Sequence, residues 1–287
     1  HGRRRRISPY CHSPAGEQAP HSRCQYVLAW LVQIPICSNG LADAFDGSSN
    51  INPVLGEVFT VEQCLQMLLI KSANDVASQL AEHTAGSVPA FAQLMNARAA
   101  ELGCLNSNFV NASGLEDETH VTTARDMALI MQAAIRNPVV AGILSMPSCE
   151  IPPTNCSGAR VYSTHNYLMQ TDSGYYYEGT LGGKTGYTPV SASTLVCYAQ
   201  RNGMTLIGVV LGAPETGRNA MDMITLFDYG FNNFYQANAV NGVECSNGGL
   251  VTLPYGCDPS AFTMQYDPVN DMTQVSYYID EHFIGSC

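Results

Sequence analysis

The chain has 287 residues, 46% of them hydrophobic and 13% charged, with a formal net charge of −11. That length and apolar content suit one large folded domain or two smaller ones and exclude a disordered chain. The acidic balance argues against a nucleic-acid partner, because phosphate binding needs a basic face. No stretch reaches the ~20 apolar residues of a membrane span.

The first forty-odd residues show no sustained helical or strand period. Arg3 to Arg6 form the one basic cluster, either an RNA-binding or targeting arm or a stretch with no binding role. The run "YVLAWLVQIPI" (26–36) has the length of a signal-peptide apolar core, with Arg23 before it and Ala42-Asp43-Ala44 after it, although Gln33 and Pro35 interrupt it. Residues 1–46 are expected to be poorly ordered, with few contacts to the rest.

From Ser48 the pattern becomes regular. Thr60 and Gln63 form a capping box for a helix whose apolar face is Val61, Cys64, Leu65, Leu68 and Leu69. "KSAND" (71–75) breaks it. A second helix runs from about Asp75 to Thr84 and ends at Gly86. A third runs from Val88 to Leu102, with Ser87 as N-cap, Pro89 in the first turn, and Phe91, Leu94, Met95 and Leu102 on one face. A fourth starts near Thr123, with Asp126 completing a capping pattern, and ends before Pro138.

After residue 150 the period shortens to that of strands. "ASTLVCYAQ" (192–200) and "MTLIGVVLG" (204–212) flank Arg201-Asn202-Gly203, a hairpin signal. "NAMDMITLFDYGFNNF" (219–234) reads as a closing helix, and the chain beyond 237 as the start of a smaller β domain. The predicted fold class is α+β, helices against an antiparallel sheet. The domains expected are a non-matching segment 1–46, a main body 47–236 and a truncated β domain 237–287.

Cys64 and Cys104 read as small core residues. Cys149 with Cys156, and Cys245 with Cys257, are candidate disulfides in an oxidising compartment. No metal-binding motif occurs and nothing calls for a cofactor. His83 and His120 read as packing or capping residues.

Two short stretches carry chemistry. In "LGGKTGYT" (181–188), Lys184 and Thr185 lie among three glycines, although the chain has only two lysines. An ammonium beside a hydroxyl suits a carboxylate, and glycine in a strand often marks close approach by a ligand; the plainer alternative is a solvated strand end. In "KSAND", Ser72 and Asn74 lie two apart at a break and can face one cleft, while the plainer alternative makes Asn74 or Asp75 a helix N-cap.

The two stretches, with "GSSNINPVLGEVFTVEQCLQMLLIKSANDVASQLAEHTAGS", "LNSNFVNASGLEDETHVTTARDMALI" and "RNGMTLIGVVLGAP" around them, resemble the serine-type D-alanyl-D-alanine carboxypeptidases, the low-molecular-weight penicillin-binding proteins. The resemblance covers about residues 47–236. It implies a β-lactamase/transpeptidase-like fold with the active site between helices and sheet. It implies proton relay by Ser72, a hold on the substrate amide by Asn74, and carboxylate binding by Lys184 and Thr185. Gly186 would leave room for the peptide, and the Tyr187 N–H would donate to the oxyanion. The implied partners are peptidoglycan stem peptides ending in D-Ala-D-Ala, and β-lactams. The implied location is extracytoplasmic, with any membrane association through parts absent from this chain.

The family nucleophile is the Ser of Ser-x-x-Lys, one helical turn from its base. Leu68 and Leu181 stand three residues before the two lysines, so these 287 residues contain no such motif. Two explanations fit: a gene fragment whose N-terminal segment is read out of frame, or a non-catalytic peptidoglycan- or β-lactam-binding pseudoenzyme.

Overall fold

A computed structural model describes residues 33–37, 48–215, 217–238, 250–257, 263–269, 272–279 and 282–286. Gln33–Pro35 forms strand β1, antiparallel to β2 (Val58–Thr60), with Ile34 opposite Phe59. Ile34 and Ile36 are buried with Phe59, Met67 and Val76 in one apolar cluster. This corrects the expectation of a poorly ordered 1–46 for residues 33–37 and counts against an out-of-frame reading of those five; residues 26–32 of the apolar run lie outside the described residues. The cause is a period of two: Gln33, Pro35 and Cys37 are exposed while Ile34 and Ile36 turn inward. So short a strand is hidden behind the apolar run before it. The rest of 1–46 lies outside the described residues.

The capping box forms as expected. Thr60 Oγ1 accepts the Gln63 N–H at 3.2 Å and Gln63 Oε1 accepts the Thr60 N–H at 2.8 Å, which starts α1 (Val61–Gln66). The helix then widens into a π turn, Met67–Lys71, which buries Met67 and Ile70. Helix α2 (Asn74–Ala85) ends at Gly86, whose φ of 81° needs a residue without Cβ strain. Helix α3 (Val88–Glu101) is capped by Ser87 Oγ. Its buried positions are Ala92 and Ala99, and Leu94 is exposed, so the expected face is rotated. Small residues let this helix approach its neighbours, where size alone pointed to the leucines.

Thr123 caps α4 (Ala124–Arg136) through the Asp126 N–H. Asp126 does not return the bond. Its buried carboxylate accepts the Asn106 N–H at 2.9 Å and the Ser107 hydroxyl at 2.8 Å, pinning the preceding turn. Asn137 both ends α4 and caps α5 (Pro138–Leu144). Strands β3 (Ser148–Ile151) and β4 (Arg160–Ser163) pair antiparallel.

The central sheet has the order β5 (Thr180–Thr188), β6 (Ala192–Arg201), β7 (Met204–Ala213). Asn202 and Gly203 take φ of 50° and 81°, the left-handed pair that a tight hairpin requires. Strand β6 is buried on both faces. Leu195, Cys197 and Ala199 pack with Met223 and Phe227 of α6 (Arg218–Asn233), while Val196 and Tyr198 pack with Met131 of α4 and Leu144 of α5. The architecture is α+β, with helices on both sides of an antiparallel sheet. Toward the C-terminus β8 (Phe234–Asn238) pairs with β9 (Leu250–Pro254), and β10 (Thr263–Val269), β11 (Met272–Ile279) and β12 (His282–Ser286) form a three-stranded sheet.

Cys64 and Cys104 are buried, as expected. The Cys149–Cys156 disulfide is absent. Cys149 faces the core from β3, Cys156 is exposed on a turn, and both are free thiols. Cys257 is also free, and Cys245 lies outside the described residues. His120 packs edge-on against Phe109, centroids 5.6 Å apart.

Candidate active site

The site begins where the π turn stops. Ser72 takes φ 65° and ψ 41°, a left-handed conformation unusual for a residue with a Cβ. A loop holds it there: Ser49 Oγ donates to the Lys71 carbonyl at 2.9 Å, and the Ser49 carbonyl accepts the Asn74 N–H at 2.8 Å. The loop is fixed in turn by buried Asp75, whose Oδ2 accepts the Ile51 and Asn52 N–H groups, both at 3.0 Å. Burial pushes the Asp75 pKa up, against the backbone donors that favour its charge. Neither Asn74 nor Asp75 caps α2: the N-cap is Ala73, with no side-chain bond. The Asn74 carboxamide has no hydrogen-bond partner among the described residues, and Asn74 opens α2 two residues from Ser72.

The second half is β5, at the edge of the central sheet among the described residues. Its register pairs Lys184 with Val196 and Thr185 with Leu195. Lys184 Nζ donates to Ser72 Oγ at 2.8 Å and to the Thr185 carbonyl at 2.6 Å. Thus Ser72, Lys184 and Thr185 meet between helices and sheet. Gly186 and Tyr187 follow on the same strand, exposed.

Two of the glycines beside Lys184 serve packing rather than ligand access. A Cβ on Gly182 would lie 2.8 Å from the Leu144 carbonyl oxygen, and one on Gly183 would lie 2.7 Å from that of Val196. Helix α5 and strand β6 therefore press directly on this strand. Gly186 differs, since an added Cβ there meets only the Thr194 side chain at close range.

Loss of water around its ammonium pulls the Lys184 pKa down to about 8. The imidazole of His165 is also lowered, first by desolvation and then by the charges of Lys184 and Lys71. The charges of Lys184 and Lys71 thus both favour the neutral form of His165. Sequence reading missed His165 near Lys184 and Asp75 as the brace of the loop that holds Ser72. The only available signal for Asp75 was adjacency to Asn74; His165 had none.

The chain is similar to known proteins over most of its length. A family model described as D-alanyl-D-alanine carboxypeptidase matches residues 28–215, starting ahead of residue 47 and including β1. The D-alanyl-D-alanine carboxypeptidase DacB2 of Mycobacterium tuberculosis is 35% identical over 222 residues, 74% of this chain and 74% of its own. DacF of Bacillus subtilis, named as the same enzyme, is 28% identical over 188 residues, 66% of this chain; the match spans 47% of DacF, just under half its length. The crystal structure of penicillin binding protein 5 from Haemophilus influenzae superposes with a TM-score of 0.72 at 25% identity, covering 91% of this chain and 85% of that one.

Proposed function

The chain belongs to the D-alanyl-D-alanine carboxypeptidase family, and from that premise we propose that Ser72, Asn74 and Lys184 to Tyr187 receive the D-Ala-D-Ala end of a peptidoglycan stem peptide. The observation that carries the reading is the 2.8 Å bond from Lys184 Nζ to Ser72 Oγ, joining two stretches far apart in sequence. The Lys184 ammonium and Thr185 hydroxyl take the terminal carboxylate, and the Asn74 carboxamide takes the neighbouring peptide group. Ser72, bonded to Lys184, is placed to pass a proton toward a leaving amine. The Tyr187 N–H is the donor assigned to a developing oxyanion. β-Lactams, which bear a carboxylate beside a strained amide, are ligands of the same pocket. Such a substrate lies outside the bacterial cytoplasmic membrane, so the site of action is extracytoplasmic.

Turnover in this family passes through an acyl-serine, and these 287 residues contain no Ser-x-x-Lys. Ser72 does not replace it. Ser72 sits in a left-handed turn directly after Lys71, not one helical turn ahead of a lysine as the acylating motif requires. The proposal for this chain is therefore reversible binding of the peptide carboxylate, with hydrolysis absent.

Two lysines make the test simple. With 13C-labelled lysine the chain gives two side-chain Cε signals, and Lys184→Met identifies one of them. Diacetyl-L-Lys-D-Ala-D-Ala is expected to shift the Lys184 signal saturably and to raise its titration midpoint, because a bound carboxylate favours the ammonium. No shift at that signal overturns the reading.

A further inference from the structure

Strand β6 runs past the Lys184 site to Arg201 and the Asn202-Gly203 turn. There a recess of about 220 Å³ opens between the hairpin tip, the end of α6 and the β8–β9 pair. Its lining includes Arg201, Asn202, Phe231, Tyr235, Gln236 and Tyr255.

The Arg201 guanidinium lies 4.8 Å from the centre of the Phe231 ring and 5.2 Å from that of Tyr177. No carboxylate among the described residues forms an ion pair with it, and no acid lines the recess. Tyr235 and Tyr255 stack with centroids 5.3 Å apart and planes 21° apart. Both are tethered: Tyr235 Oη donates to the Cys257 carbonyl and the Tyr255 N–H to the Asn233 carbonyl, each at 2.9 Å. Tyr255 nevertheless stays 62% exposed. An exposed ring stacked on a tethered one, a guanidinium without an acid and two exposed carboxamides, Asn202 and Gln236, converge on one small volume. A pyranose matches that set. Its C–H face is apolar and lies flat on a tyrosine ring, and its rim of hydroxyls takes bonds from amide and guanidinium groups.

We propose that this recess is a saccharide subsite, holding one sugar ring of the polymer whose peptide the Lys184 site receives. The link to that polymer rests on the function proposed above; the sugar chemistry does not. Lys184 pairs with Val196, and Arg201 lies five residues further along β6, roughly 17 Å at ~3.3 Å per residue. A few residues of extended peptide cover that separation, so one glycan–peptide strand can occupy both places.

The probe is the β-1,4-linked tetramer of N-acetylglucosamine, titrated into the full chain and followed by amide NMR shifts. Saturable shifts are expected at 201–203, 235–236 and 255. Tyr255→Ala and Gln236→Ala both alter exposed side chains. Each is expected to weaken the affinity, the loss of the stacked ring by about tenfold, while Lys184→Met leaves it unchanged. Absence of saturable shifts overturns the proposal, as does affinity that neither Tyr255→Ala nor Gln236→Ala lowers while both variants keep the wild-type melting temperature. If the tetramer binds here and the stem peptide fails to shift Lys184, the saccharide subsite stands and the reading of the Lys184 site falls.

Discussion

Lys184 Nζ stands 2.8 Å from Ser72 Oγ across 112 positions of sequence, in a place partly stripped of water. Folding lowers the lysine pKa to about 8, so between about pH 8 and 10 the unfolded chain binds more protons than the folded one. Stability from this group therefore rises with pH across that window and is least favourable below it. Lys184→Met keeps the apolar stem and removes the charge. It is expected to stabilise the fold at pH 7 by about 1–3 kcal/mol, and the gain should shrink toward about pH 10. Urea unfolding of both proteins at several pH values measures this. A loss of stability at pH 7, or a gain that does not change with pH, contradicts the account.

Adjacent glycines on β5 should behave differently. Gly183→Ala drives a Cβ to 2.7 Å from the Val196 carbonyl oxygen and 3.0 Å from Cys197 Cα, both backbone. The cost expected is about 1–3 kcal/mol. Gly186→Ala meets only a Thr194 hydroxyl that can rotate, and a change within about 0.5 kcal/mol is expected. Thermal melts of the two variants check the contrast, and equal losses would show that the glycines share one role.

A buried ion pair ties β4 to the segment leading into β2. Arg160 Nη2 donates to both Glu57 oxygens, at 2.9 and 3.0 Å, and Thr154 Oγ1 donates to Oε1 at 2.5 Å. Burial raises the Glu57 pKa, but these donors and the Val54 N–H together hold it below the usual carboxylate value. The stability it supplies is thus present above the unfolded glutamate pKa and lost as pH falls through the folded one. Arg160→Met strands the carboxylate and is expected to cost about 3–5 kcal/mol at neutral pH. A midpoint of urea unfolding within error of the parent would contradict this.

What could be read in the sequence was local. Thr60 with Gln63, Ser87, Thr123 and Asn202-Gly203 specify caps and a turn within a few residues of themselves, and each formed. The α+β class followed from the change of period near residue 150. The features that were missed depend on distant partners. Ile34 and Ile36 find their reason only in Phe59 and Met67, and the alanine face of α3 only in what approaches it. Asp75 looked like a helix cap until the Ile51 and Asn52 N–H groups appeared on its carboxylate. Gly182 and Gly183 looked like room for a ligand and proved to be room for Leu144 and Val196. Ser72 and Lys184 were paired by resemblance alone, because no local property of either stretch points to the other.

The central claim is that this chain carries the carboxylate-receiving half of a D-alanyl-D-alanine carboxypeptidase site without the acylating half. Intact mass after incubation with benzylpenicillin and denaturation tests it most directly. In serine hydrolases, losing the nucleophile removes about 10⁶ in turnover, leaving only binding and charge stabilisation. The account predicts an unchanged mass, even at concentrations where the drug perturbs the Lys184 signal. A stoichiometric gain of one penicilloyl group would contradict it, and peptide mapping of that adduct to Ser72 would make Ser72 and Lys184 the reacting pair.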